Sequence, residues 1–287
     1  MDIGIGLPNT VAGTEGQTLV EWAKQSEEAG FSTLGTIGRL VYPNYEELIA
    51  LSAAAAVTSR IRLTTGVLLA PLYANTALFA KQAASLDRLS GGRLVLGLGL
   101  GGRDDDYTAS ALPTEGKGRR LDQQLAEMKR IWSGERYGDA GAIGPEPVRR
   151  GGPELILGGA AEASFRRVAL LGDGWISGGG APDMFAEAAA GVDKAWAEAG
   201  RPGKPRKLSI AYFALGPDAR NQADNYLLRY YGWLGDVARQ IAAGAAVSAE
   251  MVKGYAAAFE AAGCDELIFV PTTAAPDQIG LLASAVL

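Results

Sequence analysis

The 287-residue sequence contains no histidine and a single cysteine, Cys264. The first absence removes Ser-His-Asp triads, Cys-His pairs, histidine-ligated zinc and the imidazole acid/base in one step. Proton chemistry is left to carboxylates, tyrosine, lysine, the lone thiol, water or a bound cofactor. One cysteine allows no internal disulfide and fits a reducing cytoplasm. Positive charge is also scarce. The formal net charge is −5, and the pair Arg119-Arg120 with Lys117 nearby is the longest basic feature, so nucleic acid is not an expected partner. No apolar run is long enough for a membrane span, and the opening "DIGIGL" does not look like a signal peptide. No spacing of Asp and Glu calls for a metal ion.

What is present is a rhythm of short apolar runs and longer helical patterns. Strands are expected at Ile3–Leu7, Ser32–Ile37, Ile61–Ala70, "RLVLGLGL", "ELILGG", "GWISGG", "LSIAYFAL" and "DELIFVP". Helical periodicity separates them. Leu121, Leu125, Met128, Ile131 and Trp132 share one face, as do Phe79, Ala83 and Leu86, and Met184, Ala188, Val192 and Trp196. Gly30 is placed to end the first helix. Eight such units imply a parallel sheet covered on both faces and match a (β/α)8 TIM barrel formed by residues 1–287 as one domain, with a surface excursion at about 134–153. An open doubly wound sheet with a small second domain is the alternative.

In such a barrel the chemistry sits at the C-terminal ends of the strands. Those ends are rich in glycine here, and glycine lets backbone approach a large flat ligand. The stretch "LVLGLGLGGRDDD" matches G-x-G-x-x-G at Gly97, Gly99 and Gly102, with Gly101 beside them. A dinucleotide fingerprint needs a helix immediately afterwards, whereas an acidic, irregular loop is expected here. The phosphate-binding signal is stronger at "LGGAAEASF". There Gly158 and Gly159 end a strand, a helix starts within a few residues, and Ser164 adds a hydroxyl.

"AKQAASLDRLSGGRLVLGLGLGG" resembles the hallmark segment of the bacterial luciferase-like flavin and deazaflavin oxidoreductases. The likeness continues through "EEAGFSTL", "RIRLTTGVLLAP", "RRLDQQLAEMKRIWSGE" and "ILGGAAEASFRRVALLGDGWI". The resemblance implies a (β/α)8 barrel, often dimeric, that binds FMN or coenzyme F420 at the C-terminal rim. A small-molecule substrate is implied, and a separate reductase can supply reduced cofactor. The cofactor phosphate would lie near Gly158, Gly159 and Ser164, and the ring across the ends of strands three and four. A bulge with a non-proline cis peptide, which supports the ring, would fall near Val67-Leu68.

The sequence departs from the family at two points. Relatives often end strand two with Asp-His, where this chain has Gly38-Arg39, and some carry a glutamate where it has Gly102. Sugar-phosphate and alcohol substrates that need that acid/base pair are therefore not expected. Arg39 is the candidate for binding an anion or stabilising charge on the ring, and Asp105 for supplying a proton. Tyr230, Tyr231 and Trp233, with Tyr226, form an aromatic group after strand seven that would close an apolar substrate pocket. The expected activity is hydride transfer between F420 or FMN and a small apolar substrate, or oxygen activation with reduced FMN. The rivals are a non-catalytic flavin-binding barrel and a nicotinamide dehydrogenase with an open sheet.

Overall fold

Alternation of apolar residues decides the architecture. In a computed structural model that describes all 287 residues, nine parallel strands form one sheet: β1 (Asp2–Gly6), β2 (Thr33–Thr36), β3 (Arg62–Thr65), β4 (Leu68–Leu69), β5 (Leu94–Gly99), β6 (Glu154–Gly158), β7 (Gly174–Ser177), β8 (Arg206–Phe213) and β9 (Glu266–Pro271). β1 pairs with both β2 and β9, and a β3–β5 pairing closes the ring. β3 and β4 are two halves of the third stave, so eight staves close a (β/α)8 barrel. The closure overturns the open-sheet alternative and the nicotinamide dehydrogenase that depended on it.

Successive side chains in a strand face opposite sides. Val95, Ile156, Ile176, Leu208, Ile210, Tyr212 and Ile268 form a separate cluster in the barrel interior. Their neighbours Leu96, Leu155, Trp175, Phe213 and Leu267 join a 50-residue core against the helices. The alternation in "DIGIG" follows this rule: Ile3 and Ile5 pack outward, while Gly4 lies so close to Ile268 that a Cβ would be 3.0 Å from its Cγ1. At the N-terminal end of the barrel, buried Glu266 accepts hydrogen bonds from Ser32 and Arg206, and Arg206 also reaches Glu154 at 2.9 Å.

The helices follow the expected pattern: α1 (Gly16–Ala29), α2 (Glu47–Ala55), α3 (Thr76–Leu89), α4 (Asp104–Ala109), α5 (Lys117–Trp132), α6 (Glu162–Leu171), α7 (Pro182–Glu198), α8 (Ala219–Tyr231), α9 (Asp236–Ala243), α10 (Ala249–Ala261) and α11 (Asp277–Val286). Gly30 ends α1 in the left-handed conformation, at φ 95°. The face Leu121, Leu125, Met128, Ile131 and Trp132 of α5 is buried. Between α5 and β6 the excursion makes one antiparallel bridge, Arg136 to Ala142. It is tied to α3 by Lys81 Nζ donating to the Gly144 carbonyl and by the Val148 amide donating to Asp87, both at 2.7 Å.

Three expectations need correction. The third strand is not continuous: it breaks after Thr65 and resumes at Leu68, and the cis peptide lies at Gly66–Val67, one residue before the expected place. The acidic stretch after Gly102 is not an irregular loop, because Asp104, Asp105 and Asp106 form the first turn of α4, where negative charge complements the helix dipole. On α7 the buried face is Phe185, Ala189, Val192 and Trp196, while Met184 is exposed toward the rim.

Candidate functional site

The bulge at Gly66–Val67 sets the geometry of the C-terminal rim. It pushes the Thr65 carbonyl and the Val67 side chain toward the fourth stave, and the glycines of β5 answer it. A Cβ on Gly97 would collide with the Thr65 carbonyl oxygen and lie 3.0 Å from its carbon, and one on Gly99 would lie 2.5 Å from Val67 Cγ2. The Thr65 hydroxyl fastens the bulge by donating to the Gly97 carbonyl at 2.7 Å. Gly97 therefore lies beneath the bulge and not on a ligand surface, contrary to its expected role.

Beside the bulge opens a cavity of about 440 Å³. It brings together Val67, Gly99, Gly101, Gly158, Gly159 and Ser164, all expected cofactor residues. Its volume is that of a small-molecule or cofactor site, typically about 300–1,000 Å³. One wall was not anticipated in full: Trp175, Ile176 and Ser177–Gly179 from the sixth stave, with Met184 and Ala188 of α7. The Gly-Gly run after "WIS" was the only signal for it. Gly159 has φ +129°, its carbonyl accepts from Trp175 Nε1 at 2.9 Å, and a Cβ there would lie 2.8 Å from Ser164 Cβ. Backbone thus comes within contact of Ser164, in the first turn of α6, where the Ser164 amide already donates to the Ala161 carbonyl at 2.8 Å and the amides of Glu162 and Ala163 stand at the positive end of the helix. An anionic phosphate fits this corner, and a flat ring fits the floor made by Val67, Gly99 and Gly158. When bound there, a flavin-type cofactor would supply two-electron redox chemistry.

The remaining expected residues fall elsewhere. Leu68 is buried on the far side of the third stave, and Gly102 lies under Trp233, where a Cβ would be 3.4 Å from the indole. Trp233 is half exposed and stacks on the Arg103 guanidinium, 4.7 Å from ring to Cζ. Arg103 also donates to the Tyr230 carbonyl, at 3.1 Å. Tyr226 and Tyr230 are buried, stacked at 5.7 Å, and belong to the barrel-interior cluster. The Tyr231 and Tyr212 hydroxyls share a 2.6 Å hydrogen bond, and Tyr226 pairs with Thr10 at 2.6 Å. Burial pushes Tyr212, Tyr226 and Tyr230 well above the ordinary phenol range. Tyr230, Tyr231 and Trp233 do not line the glycine cavity: Tyr230 and Tyr231, at the end of α8, pack into the barrel-interior cluster, and Trp233, just beyond that helix, lies over Gly102.

Arg39 and Asp105, the two expected catalytic groups, are brought together as an ion pair of 2.7 Å. Arg39 also approaches Asp106 at 3.8 Å and Tyr42 at 5.3 Å, and only 6% of its side chain is exposed. Asp106 accepts from the Val41 amide at 2.7 Å. Although burial pushes Asp105 upward, Arg103 and Arg39 hold it below the usual carboxylate range. This geometry docks α4 onto the segment after β2, and it leaves neither Arg39 nor Asp105 as a free acid or base. Arg120 donates to the Pro113 carbonyl, away from the cavity, whereas Lys117 donates to the Gly101 carbonyl at 2.8 Å, at the cavity edge.

A second cavity, of about 220 Å³, lies on the opposite side of the third stave. Leu40, Leu68, Leu69, Leu72 and Tyr73 line it together with Gly38, Arg39, Asn44, Glu46 and Glu47. Glu47 escaped notice in the sequence because an acid in the first turn of a helix is ordinary.

A closed parallel barrel with a bulged third stave and a glycine-lined rim cavity can now be set beside known proteins. A family model described as luciferase-like monooxygenase matches residues 1–274. The chain belongs to that family. An uncharacterized protein of Mycobacterium tuberculosis is 33% identical over 171 residues, which are 56% of this chain and 60% of that protein, so the match spans less than two thirds of the relative. An FMNH2-dependent dimethylsulfone monooxygenase of Pseudomonas putida is 24% identical over 63% of this chain and 52% of its own length. Among solved structures, an F420-dependent secondary alcohol dehydrogenase superposes with a TM-score of 0.84 at 15% identity, covering 99% of this chain and 98% of the other. The monooxygenase RslO1 of Streptomyces bottropensis superposes with a TM-score of 0.79 at 21% identity, covering 100% and 98%. These likenesses establish the luciferase-like barrel.

Proposed function

We propose that this luciferase-like protein is an oxidoreductase that binds coenzyme F420 or FMN in the glycine-lined cavity and uses it on a small, mainly apolar organic molecule. The observation that carries this reading is the meeting of three features in one cavity: the bulge at Val67, the side-chain-free ends of β5 and β6, and the start of α6 at Ser164. An F420-dependent secondary alcohol dehydrogenase and an FMNH2-dependent dimethylsulfone monooxygenase are both among the similar proteins, which supports either use of the cavity. The protein's task is to bind and orient the cofactor and exclude water, and a chain without histidine can do this. The wider reading includes a homodimer and, for the FMN branch, a separate reductase that supplies reduced cofactor.

The test is a fluorescence titration of the purified protein with FMN and with F420. Saturable micromolar binding of one alone is expected and chooses the branch. Gly158→Asp, which adds negative charge where a Cβ would lie 3.3 Å from Val67 Cγ1, is expected to weaken that binding at least about tenfold while the circular dichroism spectrum is unchanged. Absence of saturable binding by both cofactors would overturn the reading.

A further inference from the structure

The carboxyl of Glu47 stands where the chain has no side chain of its own to offer from the second stave. A Cβ on Gly38 would lie 2.9 Å from Glu47 Cγ and 3.0 Å from Oε1. The residue is 5% exposed. Thr36, the last residue of β2, donates to Oε2 at 3.0 Å. No cation pairs with it, since the neighbouring Arg39 is engaged by Asp105 and Asp106. A buried carboxylate without a counter-ion is costly, so the group keeps its proton.

The cavity around it is a built site. Four leucines supply apolar wall, and two of the other lining residues, Asn44 and Arg39, each carry a buried polar atom, Oδ1 and Nε, without a hydrogen-bond partner. Charge at this rim is two guanidiniums, Arg39 and Arg103, both engaged by Asp105, against the carboxylates of Asp105, Asp106 and Glu46, with the hydroxyls of Tyr73 and Tyr230 nearby. Such a field disfavours an anion and tolerates a neutral molecule.

We propose that this second cavity is a binding pocket, separate from the cofactor cavity, for a small neutral molecule bearing one carbonyl or hydroxyl group, with protonated Glu47 as its hydrogen-bond donor. The proposal goes beyond the oxidoreductase reading and does not depend on it, since the two cavities have no lining residue in common. Burial, opposed by the Thr36 hydrogen bond and aided by Glu46, pushes Glu47 up to about 8, consistent with an acid that holds its proton at neutral pH.

Infrared difference spectroscopy on the whole protein tests this without any cofactor. A carbonyl-stretch band of a protonated carboxyl, present at pH 7 in the wild type and lost in Glu47→Gln, is expected, and it should fade as the pH passes about 8. Cyclohexanone should shift that band, and cyclohexanecarboxylate should not. Binding of cyclohexanone, followed by calorimetry, should fall at least about tenfold in Glu47→Ala. If that variant does not fold, Gly38→Asp combined with Glu47→Ala returns a carboxyl to the same space and should restore both band and shift. Absence of the band at pH 7, a band unmoved by cyclohexanone, or equal binding of the carboxylate overturns the pocket. Cofactor titration fails or succeeds independently, so the two readings can fall separately.

Discussion

Glu27 and Glu47 meet burial in opposite ways. Burial alone would raise Glu27, but the amides of Ile61, Arg60 and Ser59 all donate to it and hold it at about 2. Its contribution to stability is therefore complete above the usual 4.5 and is lost as pH falls through 2. Glu27→Gln is expected to cost on the order of 1–2 kcal/mol at pH 7, after discounting for solvent screening, and little at pH 2, read from urea midpoints. Glu47, near 8, keeps a proton that the unfolded chain loses above 4.5. The wild type should therefore lose stability as pH rises from about 4.5 to 8, by roughly 3–5 kcal/mol, and Glu47→Gln should flatten that decline. A decline of equal size in the variant would assign it to other groups. Neither behaviour was legible in the sequence, because both residues read as exposed helical acids and their partners lie in other elements.

At the level of elements, the strands and helices were legible because their periods differ and glycine marks their ends. The break in the third stave was not, since "TTGVLLA" is apolar throughout and a bulge leaves no trace in hydrophobicity. The α4 helix was missed because three successive aspartates read as a solvated turn. Their side chains in fact favour a helix start, and two of them hold the segment after β2. The glycines of β5 were recognised as clearing space, but for Gly97 the occupant is protein backbone. Gly97→Ala should therefore destabilise the fold by about 1–3 kcal/mol, whether or not a cofactor is present. Gly101, whose Cβ would meet only the Leu69 side chain at 3.0 Å, has φ +68°, so Ala there should cost less, on the order of 1 kcal/mol, from backbone strain. Chemical denaturation of both variants, with and without cofactor, checks the contrast.

On the scale of the whole molecule, the barrel is sealed at its N-terminal end by Glu266, Arg206, Glu154 and Ser32, drawn from four separate staves or their approaches. Breaking a buried pair leaves an uncompensated charge. Arg206→Met should cost about 3–5 kcal/mol, and Arg206→Met with Glu266→Gln distinctly less. Equal losses in the single and double variants would show that packing, and not charge, is responsible. The opposite rim is organised differently. Its two cavities have no lining residue in common, and only the third stave stands between them, showing Val67 to one and Leu68 and Leu69 to the other. Change can therefore accumulate in one sector while the other stays fixed. Drift at Leu40, Leu68, Leu69 and Leu72 would let descendants of this barrel explore new small molecules while the glycine-lined sector remained as it is.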